Sequence, residues 1–254
     1  MKKFSAVHFT FLFVFGLFLT SCTDFFKKSG DIDNQLLEKD TQKFSILFSH
    51  NINGETHPCG CRKFPLGGLP QVAGKMAEIK ETNPTLYVDT GDTFFPSTTV
   101  PEHMEKSLTF AAENLSQGLE MQGLKFHVPG DQDLAKGMPF YRKLINEREY
   151  QVLAVNIKNP KRYNALDFAH YSKGDHQIFL SGIVSPSILP KQTPKFFSRP
   201  FKAMKKTMTK LKEKGFDPTN NKHRLIVLSS GGIDFDRDLA SRFPDIDWII
   251  GGHS

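Results

Sequence analysis

The feature that most constrains this chain is a repeated pairing. A short apolar run is followed at once by glycine and small polar residues. The runs are Phe44–Ser49, Thr85–Asp89, Lys125–Val128, Val152–Asn156, Ile178–Val184, Leu225–Ser229 and Trp248–Ile250. Several contain continuous apolar stretches, as expected for strands covered on both faces. Phe44–Ser49 leads into His50-Asn51-Ile52-Asn53-Gly54, and Thr85–Val88 into Asp89-Thr90-Gly91-Asp92. Lys125–Val128 leads into Pro129-Gly130-Asp131-Gln132-Asp133, Leu225–Leu228 into Ser229-Ser230-Gly231-Gly232, and the last run into Gly251-Gly252-His253-Ser254. Ligands of open α/β sheets bind just beyond the carboxyl ends of strands. One such cluster is a turn; this recurrence predicts a convergent polar site.

Helical periodicity fills the intervals. Leu108, Ala111, Ala112, Leu115 and Leu119 form a stripe that stops near Gly123, and Phe235, Leu239 and Phe243 form another, ended by Pro244. Pro200 to Lys214 reads as an amphipathic helix with Phe201, Met204, Met208 and Leu211 on its apolar side. The chain carries a net charge of +6, and much of the excess lies between Lys191 and Arg224. With no aromatic interleaving and no nucleic-acid motif, those lysines read as a solvated face, and no nucleic-acid partner is expected. Alternating strands and helices predict an α/β sheet with helices on both sides.

The first residues carry a separate signal. Lys2 and Lys3 precede an apolar stretch from Phe9 to Leu19, and Leu19-Thr20-Ser21-Cys22 follows. The stretch is interrupted by Thr10 and Gly16 and is shorter than the roughly 20 apolar residues a spanning helix needs. The segment resembles a bacterial lipoprotein signal. That implies a signal peptide over 1–21, lipidation of Cys22, and a polar tether over 22–42 ahead of a domain over 43–254. Multiple acyl chains on Cys22 would hold the protein on a membrane, each buried methylene contributing about 0.8 kcal/mol. The absence of aspartate after Cys22, where Thr23 stands, points to the outer membrane of the cell envelope.

The order of the strand-end clusters resembles the N-terminal domain of the 5'-nucleotidase branch of calcineurin-like metallophosphoesterases. Leu86-Tyr87-Val88-Asp89-Thr90-Gly91-Asp92 and Asp247-Trp248-Ile249-Ile250-Gly251-Gly252-His253-Ser254 are its most specific segments. The resemblance implies a four-layer α/β/β/α sandwich and a pair of divalent metals that clamp a phosphate. By position, Asp92 would be the bridging carboxylate, His253 a ligand of the second metal, and Asp131 a ligand in place of asparagine.

The departures fall on the ligands themselves. Asn51 stands where the resemblance places an aspartate, Asn53 where it places a histidine, and Ser230 at a further histidine position. Gln132 replaces the histidine expected to stabilise the transition state. Amide oxygens hold hard cations far less well than carboxylates do. Asp92, Asp131 and His253 are therefore expected to hold one cation (Mn, Zn, Fe or Mg) rather than two, or none, with Asn51 and Asn53 as weak helpers. The sequence ends at Ser254, one residue before an expected ligand. It is read as lacking the second domain that grips the nucleoside in such nucleotidases, so phosphate esters in general, nucleotides included, are the expected ligands.

A further cluster, His57-Pro58-Cys59-Gly60-Cys61, follows the first strand-end motif. Its thiols and imidazole form a soft donor set suited to Zn or Cu(I), or a reducible dithiol, or an idle structural loop. Three functions stay open at this point. They are a membrane-anchored phosphoesterase with a depleted metal site, a catalytically inactive binding scaffold, and metal or thiol handling through His57, Cys59 and Cys61.

Overall fold

The computed structural model describes residues 44–253 apart from 59, 61, 62, 64–66 and 174. The expected signal peptide, the expected lipidation site Cys22, the expected tether, Cys59, Cys61 and Ser254 lie outside the described residues.

Two sheets are stacked between helices. The first has five strands in sequential order, β1 (Ser45–Ser49), β2 (Thr85–Asp89), β3 (Leu124–His127), β4 (Gln151–Leu153) and β5 (Ala165–Leu166), every pair parallel. Parallel neighbours require crossovers. Those after β1, β2 and β3 are helices α1 (Leu69–Thr82), α2 (Glu105–Met121) and α3 (Gly137–Asn146). The second sheet has four strands, β6 (Phe168–Lys173), β7 (His176–Val184), β8 (His223–Ser230) and β9 (Trp248–Gly251). β6 and β7 form an antiparallel hairpin, and β7, β8 and β9 run parallel, with α4 (Pro200–Glu213) and α5 (Ile233–Arg242) in the crossovers.

The uninterrupted apolar runs have a direct structural cause. In β8, Ile226 and Leu228 enter the core shared with the first sheet, whereas Leu225 and Val227 face the core formed with α4 and α5. In β7, Leu180 and Val184 point inward, and Phe179 and Ile183 point to the helices. Both faces are dry, so each side chain contributes about 1.5–3 kcal/mol of burial. The result is the four-layer α/β/β/α sandwich that the sequence suggested.

Glycine sets the spacing between the sheets at one point. A Cβ on Gly182 would run into the Leu153 carbonyl oxygen. The residues after β4 then leave the first sheet for the second. The Val155 N–H donates to Gly182 O at 2.8 Å, and the Asn156 amide donates to Val184 O and accepts from Val184 N–H. The sequence assigns Val152–Asn156 to one strand, yet β4 ends at Leu153 because the chain changes partners there.

Three further elements complete the layers. Helix α1 fully buries only Met76, with Leu69, Ala73 and Ile79 half-buried at helical spacing beside it; Gly68 precedes it, Pro70 stands in its first turn and Pro84 follows it. Helix α3 buries Met138, Tyr141, Leu144 and Ile145 along one face, and the edge strand β6 mixes polar and apolar residues. The lysines of α4 face outward as expected, and two are paired, Lys212 with Asp245 at 3.0 Å and Lys210 with Asp167. Among the described residues, no helix is long and apolar enough to cross a membrane.

Candidate metal centre

The carboxyl ends of β1, β2, β3, β8 and β9 meet, and the backbone does much of the joining. The loop after β1 is zipped onto the loop after β2. Asn51 N–H donates to Gly91 O, Asn53 N–H to Asp92 O and Gly54 N–H to Thr93 O, at 2.8–2.9 Å. Asn51, Asn53, Asp92 and His253 all have left-handed backbone, with φ of 50°, 55°, 57° and 60°. Non-glycine residues adopt that region at a cost, and Asn, Asp and His adopt it most readily. Four of the residues singled out from the sequence thus carry local strain at one site, where such strain tends to collect.

Close approach of the loops needs bare backbone. A Cβ on Gly91 would sit 2.5 Å from Gly130 N, and one on Gly130 would collide with Asp92 Oδ1. A Cβ on Gly252 would lie 2.5 Å from Thr90 O. The glycines that look like turn formers in the sequence are therefore contact surfaces between loops.

Asp92, Asp131 and His253 present ligand atoms within 4.8 Å of one another. His253 Nδ1 lies 3.0 Å from Asp92 Oδ2 and 3.5 Å from Asp131 Oδ1. Both carboxylates are buried, and His253 is half-buried. Burial first, and then the adjoining Asp92 carboxyl, pushes the Asp131 carboxyl up to about 6. Asp131 Oδ1 is buried without a hydrogen-bond donor, as are Asn53 Oδ1 and Gln132 Oε1. Buried oxygens without donors are costly unless something positive meets them. Two adjoining carboxylates, one with an orphaned oxygen, and an imidazole make a donor set that fits a divalent cation.

The other sequence-predicted residues fare differently. The Asn51 side-chain oxygen accepts the His253 N–H at 3.2 Å, which fixes the loop after β9. The Gln132 N–H donates to Asp92 Oδ1 at 3.3 Å. Ser230 Oγ donates to the Pro129 carbonyl at 2.8 Å, so its oxygen ties β8 to the loop after β3. His57 Nδ1 is bonded to Thr56 Oγ1 at 2.9 Å in an exposed setting. Its proposed partners Cys59 and Cys61 lie outside the described residues.

Beneath the cluster lies a buried polar layer to which sequence reading assigned no role. Asp89 accepts from Ser49 Oγ at 2.5 Å and Thr93 Oγ1 at 2.6 Å, and meets His127 Nδ1 at 2.8 Å. His127 Nε2 lies 3.5 Å from Asp133 Oδ2, and all three side chains are fully buried. Burial opposes charge on the His127 ring, but Asp133 and Asp89 outweigh it and raise its pKa. Burial likewise raises Asp133, against the pull of His127 and of backbone N–H groups. A histidine within an apolar strand and acids inside the Asp-Thr-Gly-Asp and Gly-Asp-Gln-Asp segments were the available signals.

No protein-family model matches the chain, and no curated protein matches it. Its fold does match solved structures, each over 82% of the chain. A 5'-nucleotidase precursor from Thermus thermophilus is 18% identical with a TM-score of 0.64, and 41% of that chain is covered. A calcineurin-like phosphoesterase from Bacillus subtilis is 20% identical with a TM-score of 0.62, and 71% of it is covered. A sulfate thiohydrolase, also from Thermus thermophilus, is 17% identical with a TM-score of 0.65, and 48% of it is covered. The chain spans less than half the length of the nucleotidase and of the thiohydrolase. The domain has the calcineurin-like phosphoesterase fold in the form found in 5'-nucleotidases, and it shares that fold with the thiohydrolase.

Proposed function

We propose that the domain is a membrane-anchored phosphoesterase domain in which Asp92, Asp131 and His253 hold one divalent cation against a phosphate ester or nucleotide. The observation that carries this reading is the convergence of two buried carboxylates and an imidazole at the strand ends of a phosphoesterase fold. Asp92 and Asp131 supply the negative charge that hard cations require, and His253 supplies a nitrogen donor. The Gly91 and Gly130 backbones leave room for the carboxylates to meet. A bound cation would polarise a phosphoryl oxygen and acidify a bound water. Gln132 can donate a hydrogen bond to a phosphoryl oxygen but has no proton to give up, so leaving-group protonation must come from solvent or substrate.

One cation suits the donors better than two. Asn51 and Asn53 bring no charge, and the Ser230 hydroxyl is committed to Pro129. Modest turnover is the expected consequence. Lipidation of Cys22 would keep the domain on the envelope, with the outer membrane as the proposed site.

The first test is elemental analysis of purified protein, then assay of phosphate esters and nucleotides with Mn, Zn, Fe and Mg. Stoichiometric cation and hydrolysis, both lost in Asp92→Asn, are expected. Cation binding without hydrolysis of any ester would favour the second reading, a binding scaffold, for which Gln132 and the committed Ser230 are the supporting observations. Binding that survives Asp92→Asn but fails in Cys59→Ser/Cys61→Ser would move the metal chemistry to the thiol loop.

A further inference from the structure

Asp133 touches both loops that carry the acidic ligand candidates, yet it is not itself one of them. It lies one residue past Gln132, in the short helical turn Gln132–Leu134, and is fully buried. Its Oδ1 accepts the Thr93 N–H at 2.8 Å and the Phe94 N–H at 2.9 Å. Its Oδ2 accepts the Asp92 N–H at 3.0 Å and the Gly130 N–H at 2.8 Å. Three of these donors are consecutive residues of the loop after β2, and the fourth is in the loop after β3. One carboxylate therefore clasps the left-handed Asp92 and the turn that presents Asp131.

We propose that Asp133 is a positioning residue that holds Asp92 and Asp131 in cation-receiving geometry before any cation arrives. Two carboxylates placed side by side repel each other and would part if their loops were free. Something must hold the backbone against that repulsion, and a carboxylate accepting four N–H groups is strongly bonded. Its geometry also makes the isosteric amide a poor substitute. Each oxygen receives two N–H donors, so either orientation of an asparagine amide turns its NH2 group toward two donors.

This inference rests on the cation reading of Asp92, Asp131 and His253, and the experiment separates the two. The full chain, purified in detergent, is titrated with Co(II) and followed by visible absorption, for wild type and Asp133→Asn. Cobalt affinity in the variant should fall at least tenfold, and the absorption of the bound fraction should change, showing altered ligand geometry in addition to altered stability. Backbone hydrogen exchange on metal-free wild type supplies a second measurement that needs no variant. The N–H groups of Asp92, Thr93, Phe94 and Gly130 should exchange slowly and as a group without metal. A folded Asp133→Asn protein with wild-type affinity and spectrum would overturn the proposal. So would wild-type amides that exchange at open-loop rates until cation is added, since the cation would then be ordering the loops. If wild type binds no cobalt, the ligand reading fails, while the exchange experiment still decides whether Asp133 pre-orders the loops.

Discussion

His253 Nδ1 lies 3.0 Å from Asp92 Oδ2 although 161 residues of chain separate them. The contact joins the last strand of the second sheet to the second strand of the first. It exists only because the two sheets stack with their parallel strands ending on one side. The centre is therefore a joint between sheets, and perturbing either sheet should reach it.

Asp92→Asn tests the centre with little disturbance of the fold. Asparagine tolerates the left-handed φ of 57° at this position, and the backbone N–H bonded to Asp133 is retained. Cation affinity should fall by about a hundredfold, on the order of 3 kcal/mol, as one of two anionic ligands is lost. Isothermal titration with Mn beside a thermal melt checks this; an unfolded variant or unchanged affinity would contradict it.

The metal-free protein should lose stability as pH rises. The Asp131 carboxyl is pushed up to about 6 by burial and by Asp92, above its ordinary 3.8. A raised folded-state pKa contributes stability that is fully present below the unfolded value and is lost as pH climbs through the folded one. Melting temperatures of chelator-treated protein should therefore fall between about pH 4 and pH 6, and Asp131→Asn should flatten that fall. Saturating cation should offset it above about pH 6. Equal slopes in wild type and Asp131→Asn would remove Asp131 as the cause.

Two glycine substitutions should separate the site from the scaffold. In Gly130→Ala the new methyl group meets Asp92 Oδ1, and in Gly182→Ala it meets the Leu153 carbonyl between the sheets. Each should destabilise by about 1–3 kcal/mol in denaturant titrations. Cation affinity per folded molecule should fall in Gly130→Ala and hold in Gly182→Ala. The reverse pattern would show that sheet spacing, and not the Gly91–Gly130 contact, sets the carboxylate geometry.

Membrane attachment is proposed to rest on Cys22 alone. Cys22→Ala should yield unlipidated protein, by mass spectrometry of cell fractions, with most of it released from membranes. Retention of the unlipidated form would require a second membrane-binding element, with the α4 lysines as the first place to look.

Much of this protein could be read along the chain. Apolar runs at consecutive positions identified β2, β7 and β8, because burial on both faces erases the alternation that exposed strands keep. The stripes of α2, α4 and α5 were legible because each helix lies against a sheet with one face only. Asp92, Asp131 and His253 lay in the strand-end clusters that predicted a polar site, and their ligand roles came from the resemblance to the metallophosphoesterases. Helix α1 carries Leu69, Val72, Met76 and Ile79 at helical spacing, yet only Met76 is fully buried, so which face packs was not legible, and β6 was obscured by its edge position. Ser230 and Asn51 could be named from sequence, but their attachment to Pro129 and to the His253 N–H could not. Asp133 and His127 were hidden for the same reason. A buried acid looks like any turn residue until its four N–H donors, from two loops, are brought around it. Local chain preferences are set by neighbours in sequence. The centre is set by loops that meet when two sheets close, and that closure belongs to the tertiary structure.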